Sequence, residues 1–493
     1  MPRPTVDGYC WPQSVVAGEP VALHVAASVP SVDVEVARIG ARREVVDGPR
    51  PLTTEDHPVP ADASAHGCNW PVALELDTTG WRSGYHEVQL TARADDRTTV
   101  GRAFVVVRPS PTSDRRVLWV LGTSTWHAYN DFAGTNLYNG GTQASLLRPM
   151  APGYLYKPPG HGRRVATTHP PDPQMAAHVG YLRLNHLSEW AGSAGWPNWE
   201  HPFAVWAERN GYEMDVASSA DLEDPELLSR YRLLLSIGHD EYWSGPMRNS
   251  VEAFIAAGGN VAFLSGNTSF WQVRFEDDGT TMVGYKARFR DDPCYRTDRH
   301  AETTTMWCDH ELGRPEAEMT GVSFSRGGYH RIGKRVTNGL GGYTVHRPDH
   351  WLFEGTGLTY GDVLGASSTV VGYECDGCDF TYRDGLPYPT GVDGSPEGFE
   401  ILGTAPAAPF TRTTSARPPR GRDMAESEFT SWRLLGERGP EAEARILHGH
   451  AVLGTYTQGG TVVTSGSTEW VHGLAERDPQ IEQITANILE RLG

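Results

Sequence analysis

The sequence of 493 residues predicts an all-β domain followed by a larger α/β domain. Within residues 1–112, apolar residues alternate with period two between Pro, Gly and Asp clusters, which is typical of half-buried strands. Within residues 113–493, continuous apolar runs alternate with segments of helical spacing, which indicates a parallel sheet covered on both faces. Gly- and Trp-rich strand-like segments interrupt this pattern at about 275–450, and we interpret them as a β-rich insertion over the mouth of the sheet.

The first domain is predicted to consist of short strands. The alternation of apolar residues places strands at 21–28, 32–39, 85–92 and 101–108. The last strand leads into residues 109–113, whose Pro and Ser content is typical of a linker. We expect an immunoglobulin-like sandwich, to which the sequence assigns no chemistry of its own.

The second domain is predicted to alternate buried strands with amphipathic helices. The predicted strands are 117–122, 233–237, 260–267 and 460–466. The predicted helices are 202–211, 247–257 and 480–492. The last helix begins at Asp478 and Pro479, because Asp is a favoured cap and Pro is favoured in the first turn. The Arg- and Pro-rich stretch 416–422 is expected to be an exposed loop.

Composition and charge exclude several classes of protein. The net charge of −18 argues against nucleic-acid binding, which requires basic surfaces. No apolar run reaches the ~18 residues of a membrane span, and no apolar segment follows the first residues to serve as a signal peptide. We therefore expect a cytoplasmic protein that binds neither nucleic acid nor membranes.

The six cysteines allow a zinc site but do not favour one. Cys375 and Cys378 have the close spacing of half a structural zinc site, and Cys294 and Cys308 would have to provide the other half. A structural zinc site usually contains two closely spaced pairs, and this second pair is widely spaced. Zinc is therefore disfavoured.

The polar turn at 239–241 is the most informative segment of the chain. It follows the predicted strand 233–237 and precedes the predicted helix 247–257. In an open parallel sheet, ligands bind beyond the carboxyl ends of the strands, so His239 and Glu241 are placed for chemistry. The alternative is that these polar residues only cap the helix, for which one residue would suffice.

Polar residues also occur at the ends of other predicted elements. Tyr129 and Tyr138 follow the strand 117–122, and Asn267 ends the strand 260–267. Lys286 follows shortly after, and Glu374 lies in the predicted insertion. A single tyrosine is most often part of a core or an interface. Two tyrosines at one strand end, facing a carboxylate from another, would form an oxygen-only ligand set.

Together these motifs make the chain similar to the large (beta) subunit family of N,N-dimethylformamidase. The similarity covers nearly all of residues 115–470, and the domain order resembles a β-sandwich ahead of a class I glutamine amidotransferase-like domain. The matched features, in chain order, are Ala128-Tyr129-Asn130, Tyr138 ahead of Leu147-Arg148-Pro149, His239-x-Glu241-Tyr242-Trp243, Gly258-Gly259-Asn260, Gly266-Asn267 with Trp271, and Gly372-Tyr373-Glu374.

The resemblance implies a mononuclear ferric iron held by Tyr129, Tyr138 and Glu241. Phenolate and carboxylate are hard oxygen donors that suit a hard, highly charged ion better than zinc or copper. Such an ion can polarise a carbonyl group and lower the pKa of a bound water. The turn carries Asp240 where the family would have proline. This difference affects the expected substrate and the expected need for a small partner subunit more than it affects the expected metal.

The resemblance also implies four catalytic residues near the iron, His239, Asn267, Lys286 and Glu374. His239 would act as general base or donate a hydrogen bond to the developing oxyanion. Glu374 is a candidate proton shuttle to the leaving amine. Which of His239 and Glu374 is the general base stays open at this point.

The expected function is iron-dependent hydrolysis of the C–N bond of a small N-substituted amide. Trp126, Trp243, Trp271 and Trp351 are expected near the site, where they would favour apolar or planar N-substituents. The alternative is a non-catalytic carbohydrate- or ligand-binding protein on the same scaffold, since 15 Trp and 19 Tyr offer stacking surfaces. A homo-oligomer and a small partner subunit are both left open.

Overall fold

The computed structural model describes residues 3–160, 164, 174–331, 339–409 and 425–493. The strands are β1 (Val6–Trp11), β2 (Ser14–Val16), β3 (Pro20–Ala27), β4 (Ser31–Ile39), β5 (Arg43–Thr53), β6 (Val72–Asp77), β7 (Gly84–Ala94), β8 (Arg97–Arg108), β9 (Val117–Leu121), β10 (Gln143–Ser145), β11 (Asp215–Ser218), β12 (Leu233–His239), β13 (Tyr242–Ser244), β14 (Asn260–Gly266), β15 (Trp271–Glu276), β16 (Thr281–Val283), β17 (Ser323–Gly328), β18 (Tyr343–Val345), β19 (Val363–Leu364), β20 (Cys375–Gly377), β21 (Phe380–Arg383), β22 (Leu386–Pro389), β23 (Glu400–Ala407), β24 (Gly449–Gln458) and β25 (Gly460–Thr464). The α-helices are α1 (Ala63–His66), α2 (Thr123–Tyr129), α3 (Gln174–Leu184), α4 (Glu200–Arg209), α5 (Gly245–Ala256), α6 (Ala317–Thr320), α7 (Glu426–Leu435), α8 (Pro440–Ala444), α9 (Trp470–Ala475) and α10 (Pro479–Leu492).

The predicted strands and helices are present, with ends displaced by a few residues. The stretch 416–422, predicted as an exposed loop, lies outside the described residues. No helix in the described ranges is both long and apolar enough to cross a membrane.

The chain divides into two compact units. The first unit comprises Met1–Lys157, His186–Asp221 and Phe275–Val283, and the second comprises Pro158–Asn185, Leu222–Arg274 and Gly284–Gly493. The first unit thus continues past the predicted boundary at residue 112, and a division at that residue stays a prediction.

The N-terminal part of the first unit contains two sheets that share one core. One sheet has the order β1-β3-β6, and the other has the order β2-β8-β7-β4-β5. Their inward-facing side chains form a single apolar cluster, including Leu23 of β3, Val36 of β4 and Val105 of β8, none of which is exposed to solvent. Burial alternates along β3 and β4, as the period of two requires. Two packed sheets agree with the expected sandwich, whose immunoglobulin-like type stays a prediction.

The rest of the first unit carries the first buried strand of the α/β pattern. Strand β9 pairs in parallel with β11, and β10 pairs antiparallel with β16. Helix α2 begins directly after β9, and all seven of its residues are buried. Trp119 of β9 packs edge-on against Phe203 of α4, with 5.0 Å between ring centroids.

The second unit is built on a mixed sheet. Strands β12, β14 and β25 are parallel, and they are buried on both faces, as their continuous apolar sequences indicate. Strands β24, β23, β18 and β19 continue the sheet from β25 in antiparallel pairing. Most of these added strands come from the region predicted as an insertion, so this region extends the sheet. Strands β23 and β24 are themselves largely buried, and the backbone groups of β24 find hydrogen-bond partners along the edge of β25.

The C-terminal helix shows how the sequence pattern determines the packing. In α10, Ile481, Ile484 and Ile488 are fully buried at the spacing of one helical face. The Asp478 side chain accepts hydrogen bonds from the backbone amides of Gln480 and Ile481, which confirms the predicted cap. By contrast, α7 was not predicted, because it lies within the region interpreted as β-rich.

Candidate active site

Each unit contains one cluster of the predicted site residues. In the first unit, Tyr129 is the last residue of α2, and Tyr138 lies in the loop that follows. The Tyr129 hydroxyl donates a hydrogen bond to the Tyr138 hydroxyl oxygen at 2.7 Å, and the ring centroids are 4.4 Å apart. The structure therefore brings these two phenol groups together, and their role as ligands stays a prediction.

Backbone contacts hold this tyrosine pair in place. The Asn136 side-chain amide and the Tyr154 hydroxyl both donate to the Tyr129 carbonyl oxygen, at 2.9 and 2.6 Å. The buried Arg148 guanidinium donates to the carbonyl oxygens of Asn130 and Phe132. Arg148 belongs to the Leu147-Arg148-Pro149 motif, and the structure shows that it binds the backbone around the pair.

Trp190 completes the aromatic part of this cluster. Its ring is 5.4 Å from the ring of Tyr138 and 6.1 Å from that of Tyr129. It lies in a 3-10 helix over Glu189–Gly192. The sequence analysis missed Trp190, since it is distant along the chain and belongs to no motif there.

The second cluster begins at the predicted turn between β12 and α5. The Ser244 side chain caps α5 by accepting a hydrogen bond from the Met247 amide, so His239 and Glu241 are not needed as caps. The Glu241 carbonyl oxygen accepts hydrogen bonds from the backbone amides of Phe270 and Trp271 at 3.0 and 2.9 Å. The turn after β12 is therefore bound to the segment after β14.

His239 lies between two carboxylates. Its Nε2 atom is 2.7 Å from Glu374 Oε2 and 3.3 Å from Glu241 Oε2, and its side chain is fully buried. Burial alone would lower the pKa of His239, but Glu374 first and Glu241 second outweigh it and hold this pKa well above its usual value. The structure thus brings three of the predicted site residues into direct contact.

Asn267 extends this cluster. Its side-chain amide donates to Glu374 Oε2 at 3.3 Å, and its backbone adopts the left-handed conformation with φ of 50°. The preceding Gly266 passes so close to the Glu374 carbonyl oxygen that a Cβ atom there would lie 2.5 Å from it. The Gly266-Asn267 pair therefore serves close approach of the backbone and a conformation that Asn tolerates well.

Lys286 has a different set of neighbours within the second unit. Its ammonium group donates to the Tyr242 hydroxyl at 2.7 Å and lies 4.8 Å from the centre of the Trp271 ring. Its backbone is also left-handed, with φ of 56°. Tyr242 directly follows Glu241, so Lys286 is connected to the same turn through that tyrosine.

The four predicted tryptophans have different environments. Trp271 lies beside Lys286. Trp126 and Trp243 are buried in apolar packing, where they contact Phe104 and Phe263. Trp351 packs against the guanidinium of Arg491. Among the described contacts, Trp271 is the one of these four tryptophans that touches a predicted catalytic residue.

Asp376 is a buried carboxylate that the sequence analysis did not assign to the site. Its two oxygens accept hydrogen bonds from the backbone amides of Asn267 and Thr268, at 2.8 and 3.1 Å. Burial raises the pKa of Asp376 to about 7, although these two hydrogen bonds lower it. Because Asp376 of β20 lies two residues after Glu374, one short segment holds both the carboxylate that contacts His239 and the one that fixes Asn267.

Replacing Asp376 by Asn is expected to lower turnover about 10- to 100-fold, because misplacing a group by ~1 Å can cost two orders of magnitude. The substituted amide can accept only one of the two backbone hydrogen bonds. The Michaelis constant should change little, since Asp376 fixes the backbone of Asn267 and Thr268. Steady-state kinetics of Asp376→Asn against Asp384→Asn, an exposed carboxylate in the β21–β22 turn, would measure this. Equal turnover in the two variants would contradict the assigned role.

The donor chemistry of the tyrosine pair fits a metal ion. The Tyr129 and Tyr138 hydroxyl oxygens lie 2.7 Å apart, and two adjacent oxygen donors would suit a hard, highly charged ion. Across the described residues, no group of three or more His, Cys, Asp and Glu side chains is arranged to hold a metal. Two tyrosines and one glutamate contain only one residue of those types, so this result does not bear on the predicted ligand set, which stays a prediction.

Comparison with known proteins identifies similar chains. The family described as N,N-dimethylformamidase beta subunit-like, C-terminal, matches residues 33–483. The N,N-dimethylformamidase beta subunit of Alcaligenes sp is 37% identical over 81 residues, which cover 15% of this chain and 11% of that protein. The subunit of the same name from Paracoccus aminophilus is 33% identical over 81 residues, with the same shares of 15% and 11%. The match thus spans about a tenth of the length of these curated relatives.

A solved structure gives only a distant similarity. A family 123 glycoside hydrolase from Clostridium perfringens aligns at 7% identity over 26% of this chain and 32% of that chain, with a TM-score of 0.11. A TM-score of this size does not bear on the fold.

Proposed function

Because the chain belongs to the N,N-dimethylformamidase beta subunit-like family, we propose that it hydrolyses the C–N bond of small N-substituted amides. The observation that carries the proposal is the buried contact of His239 with Glu374 and Glu241. Amide hydrolysis requires a group that removes a proton from water and a group that returns a proton to the leaving nitrogen. A histidine in contact with two carboxylates supports both tasks.

His239 and Glu374 would act as one acid–base unit. The 2.7 Å contact lets a single proton move between Nε2 and the carboxylate oxygen. In our proposal Glu374 accepts the proton of the attacking water, and the His239 imidazolium donates a proton to the departing amine. The Asn267 amide orients the Glu374 carboxylate by hydrogen bonding to Oε2. After release of the amine, transfer across the same contact restores the starting state.

We further propose that Tyr129, Tyr138 and Glu241 bind one ferric ion. The adjacent phenol oxygens and the oxygen-only character of the set support this proposal. When bound, the ion would supply a Lewis acid that polarises the amide carbonyl. The residues of this chain would orient the substrate and move its protons. The Lys286 ammonium and Tyr242 hydroxyl form a second pair of hydrogen-bonding groups beside the Glu241 turn.

The assembly of the protein is also a proposal. Both curated relatives are named as beta subunits. We propose that this chain likewise functions with a small partner subunit, and size measurements on co-expressed chains would test this. A homo-oligomer would be distinguished by the mass of the chain purified alone.

A screen of amides would test the substrate class. We expect iron-loaded protein to release amine from N-alkyl and N-aryl amides and little ammonia from unsubstituted formamide. The aromatic rings of Trp190 and Trp271 next to predicted site residues favour a planar or apolar N-substituent. Amine release would be measured for the wild-type chain and for Glu374→Gln as the inactive control.

Absence of amine release from every amide would contradict the proposed function. If a carbohydrate or another ligand class then bound tightly to the same iron-loaded protein, the chain would be a binding protein on this scaffold. The visible spectrum provides a second discriminator, because tyrosinate bound to ferric iron absorbs visible light.

A further inference from the structure

Gln13 is a buried residue of the N-terminal sandwich whose side chain reaches helix α2 and the segment after β10. Its backbone carbonyl oxygen accepts a hydrogen bond from the Val106 amide at 2.8 Å, which ties it to β8. Its side-chain amide nitrogen donates to the Leu146 carbonyl oxygen at 3.1 Å. Its side-chain oxygen lies 2.7 Å from His127 Nε2. One side chain thus binds both helix α2 and the segment after β10.

The chemistry of these groups determines the direction of both hydrogen bonds. A backbone carbonyl can only accept, so the Gln13 NH2 group must face Leu146, and its oxygen must face His127. His127 must therefore carry its proton on Nε2. The contact is a directional hydrogen bond between two buried groups.

Both elements that Gln13 contacts support the tyrosine pair. Helix α2 ends at Tyr129, two residues after His127. Leu146 lies two residues before Arg148, whose guanidinium binds the carbonyl oxygens of Asn130 and Phe132 on either side of the loop start. One route from Gln13 to the pair passes through the His127 hydrogen bond and the end of α2, and the other passes through the Leu146 hydrogen bond, the chain to Arg148 and the hydrogen bonds of its guanidinium.

The sandwich makes further contacts with the same segments. The Cys68 amide donates to the Leu147 carbonyl oxygen at 2.8 Å. Phe104 of β8 packs edge-on against Trp126 of α2, with 5.4 Å between centroids. Phe132 and Leu147 are partly buried against an apolar cluster of the sandwich that includes Trp70. These contacts position α2 and the segment after β10 as whole elements. The Gln13 side chain, by contrast, hydrogen-bonds to both of these elements.

We propose that Gln13 is a positioning residue for the Tyr129–Tyr138 pair, and that the N-terminal sandwich is thereby part of the apparatus that sets the spacing of the two phenol oxygens. The sequence analysis assigned no chemistry to this domain. The role of the tyrosines as ligands rests on the proposed function, but their positioning by Gln13 does not.

Hydrogen–deuterium exchange of the metal-free chain tests the positioning. In Gln13→Met, the amides of Asn130 and Leu137, which bond to the Trp126 and Ala128 carbonyl oxygens, are expected to exchange roughly tenfold faster or more, the scale of one lost buried hydrogen bond. The matched control is Gln89→Met on β7, whose side chain bonds only within the sandwich to Thr91. The control should exchange as the wild type does in residues 123–148.

A double-substitution experiment separates this role from general destabilisation. His127→Phe and Gln13→Met together should accelerate exchange by less than the product of their separate effects, because they remove the same contact. If Gln13→Met does not fold, Gln13→Glu keeps the acceptor for His127 and loses the donor to Leu146, and the same increase is expected at Leu137. Wild-type exchange at Asn130 and Leu137 in the folded variants, or fully independent effects in the double variant, would overturn the proposal.

Iron loading provides a readout of a different kind. In Gln13→Met, the tyrosinate-to-iron absorption band is expected to shift or weaken, whereas in Gln89→Met it is expected to stay as in the wild type. Faster exchange without any iron binding in the wild type would refute the proposed metal and leave the positioning role intact. Normal exchange together with an unchanged band would refute the positioning role and leave the metal intact.

Discussion

Replacing Glu241 by Ala, or Tyr138 by Phe, is expected to abolish stable iron binding. In the proposed function these residues provide two of three protein ligands, and the wild-type chain should bind about one iron. Removal of one oxygen donor leaves the ion with two protein ligands and unbalanced charge. Metal analysis of the purified variants, together with the visible spectrum, would measure the loss.

Two surface variants serve as controls for this experiment. Glu226→Ala removes an exposed carboxylate, and Tyr388→Phe removes the hydroxyl of a tyrosine that is 37% exposed. Both should retain wild-type iron content. Full iron occupancy in Glu241→Ala and in Tyr138→Phe would exclude this ligand set, whatever the activity of the variants.

Replacing His239 by Ala is expected to lower turnover by ~10²-fold or more while iron and fold are retained, which is the usual scale for general acid–base catalysis. His239 contacts Glu241 and Glu374 through one ring nitrogen, and neither contact requires it to be a ligand. Removing it leaves the departing amine without its proton donor and Glu374 without the group that takes up its proton. Stopped assays of amine release on the iron-loaded variant would give the turnover number.

The iron content of the His239→Ala preparation distinguishes an acid–base role of His239 from a role as a metal ligand. If iron is lost together with activity, His239 is a metal ligand and the acid–base assignment is wrong. His350→Ala provides the control, since His350 caps a short helix through its ring nitrogen. That variant should keep both its iron and its turnover.

The strand-end rule explains why the sequence predicted much of the site. His239, Glu241 and Asn267 each lie at or just after the carboxyl end of a buried strand, where side chains of neighbouring strands meet. The closeness of the turn at His239 and Glu241 to Asn267 follows from this placement once the register of β12 and β14 is known, whereas Glu374 comes from the segment before β20. The register itself is set by packing that extends over the whole sheet.

Residues that hold other residues were harder to predict. Asp376 and Gln13 act through backbone amides and carbonyls, and such partners carry no sequence signature. Trp190 reaches the tyrosines from a segment with no periodic pattern. Arg148 belonged to a recognised motif, but its fully buried guanidinium and its carbonyl partners became visible only in the structure.

The extension of the sheet by the predicted insertion was also difficult to predict from the sequence. Strands β23 and β24 are buried almost throughout, so their sequences lack the alternation by which a half-buried strand is recognised. Their Gly residues also reduce the apolar signal. Pairing partners far along the chain, such as β14 with β25 and β23 with β18, cannot be inferred from local patterns.

The pairing of β14 with β25 affects when the candidate site can fold during synthesis of the chain. Val261 pairs with Val462 across the sheet, and the Gly466 carbonyl oxygen accepts a hydrogen bond from the Asp376 amide. The segment that carries Glu374 and Asp376 therefore lacks this contact until residues beyond 460 have left the ribosome. Since long-range pairing of this kind folds slowly, the nascent chain exposes one edge of β14 from the emergence of β14 until that of β25. We therefore expect chaperone dependence to be greatest in the interval between emergence of β14 and emergence of β25.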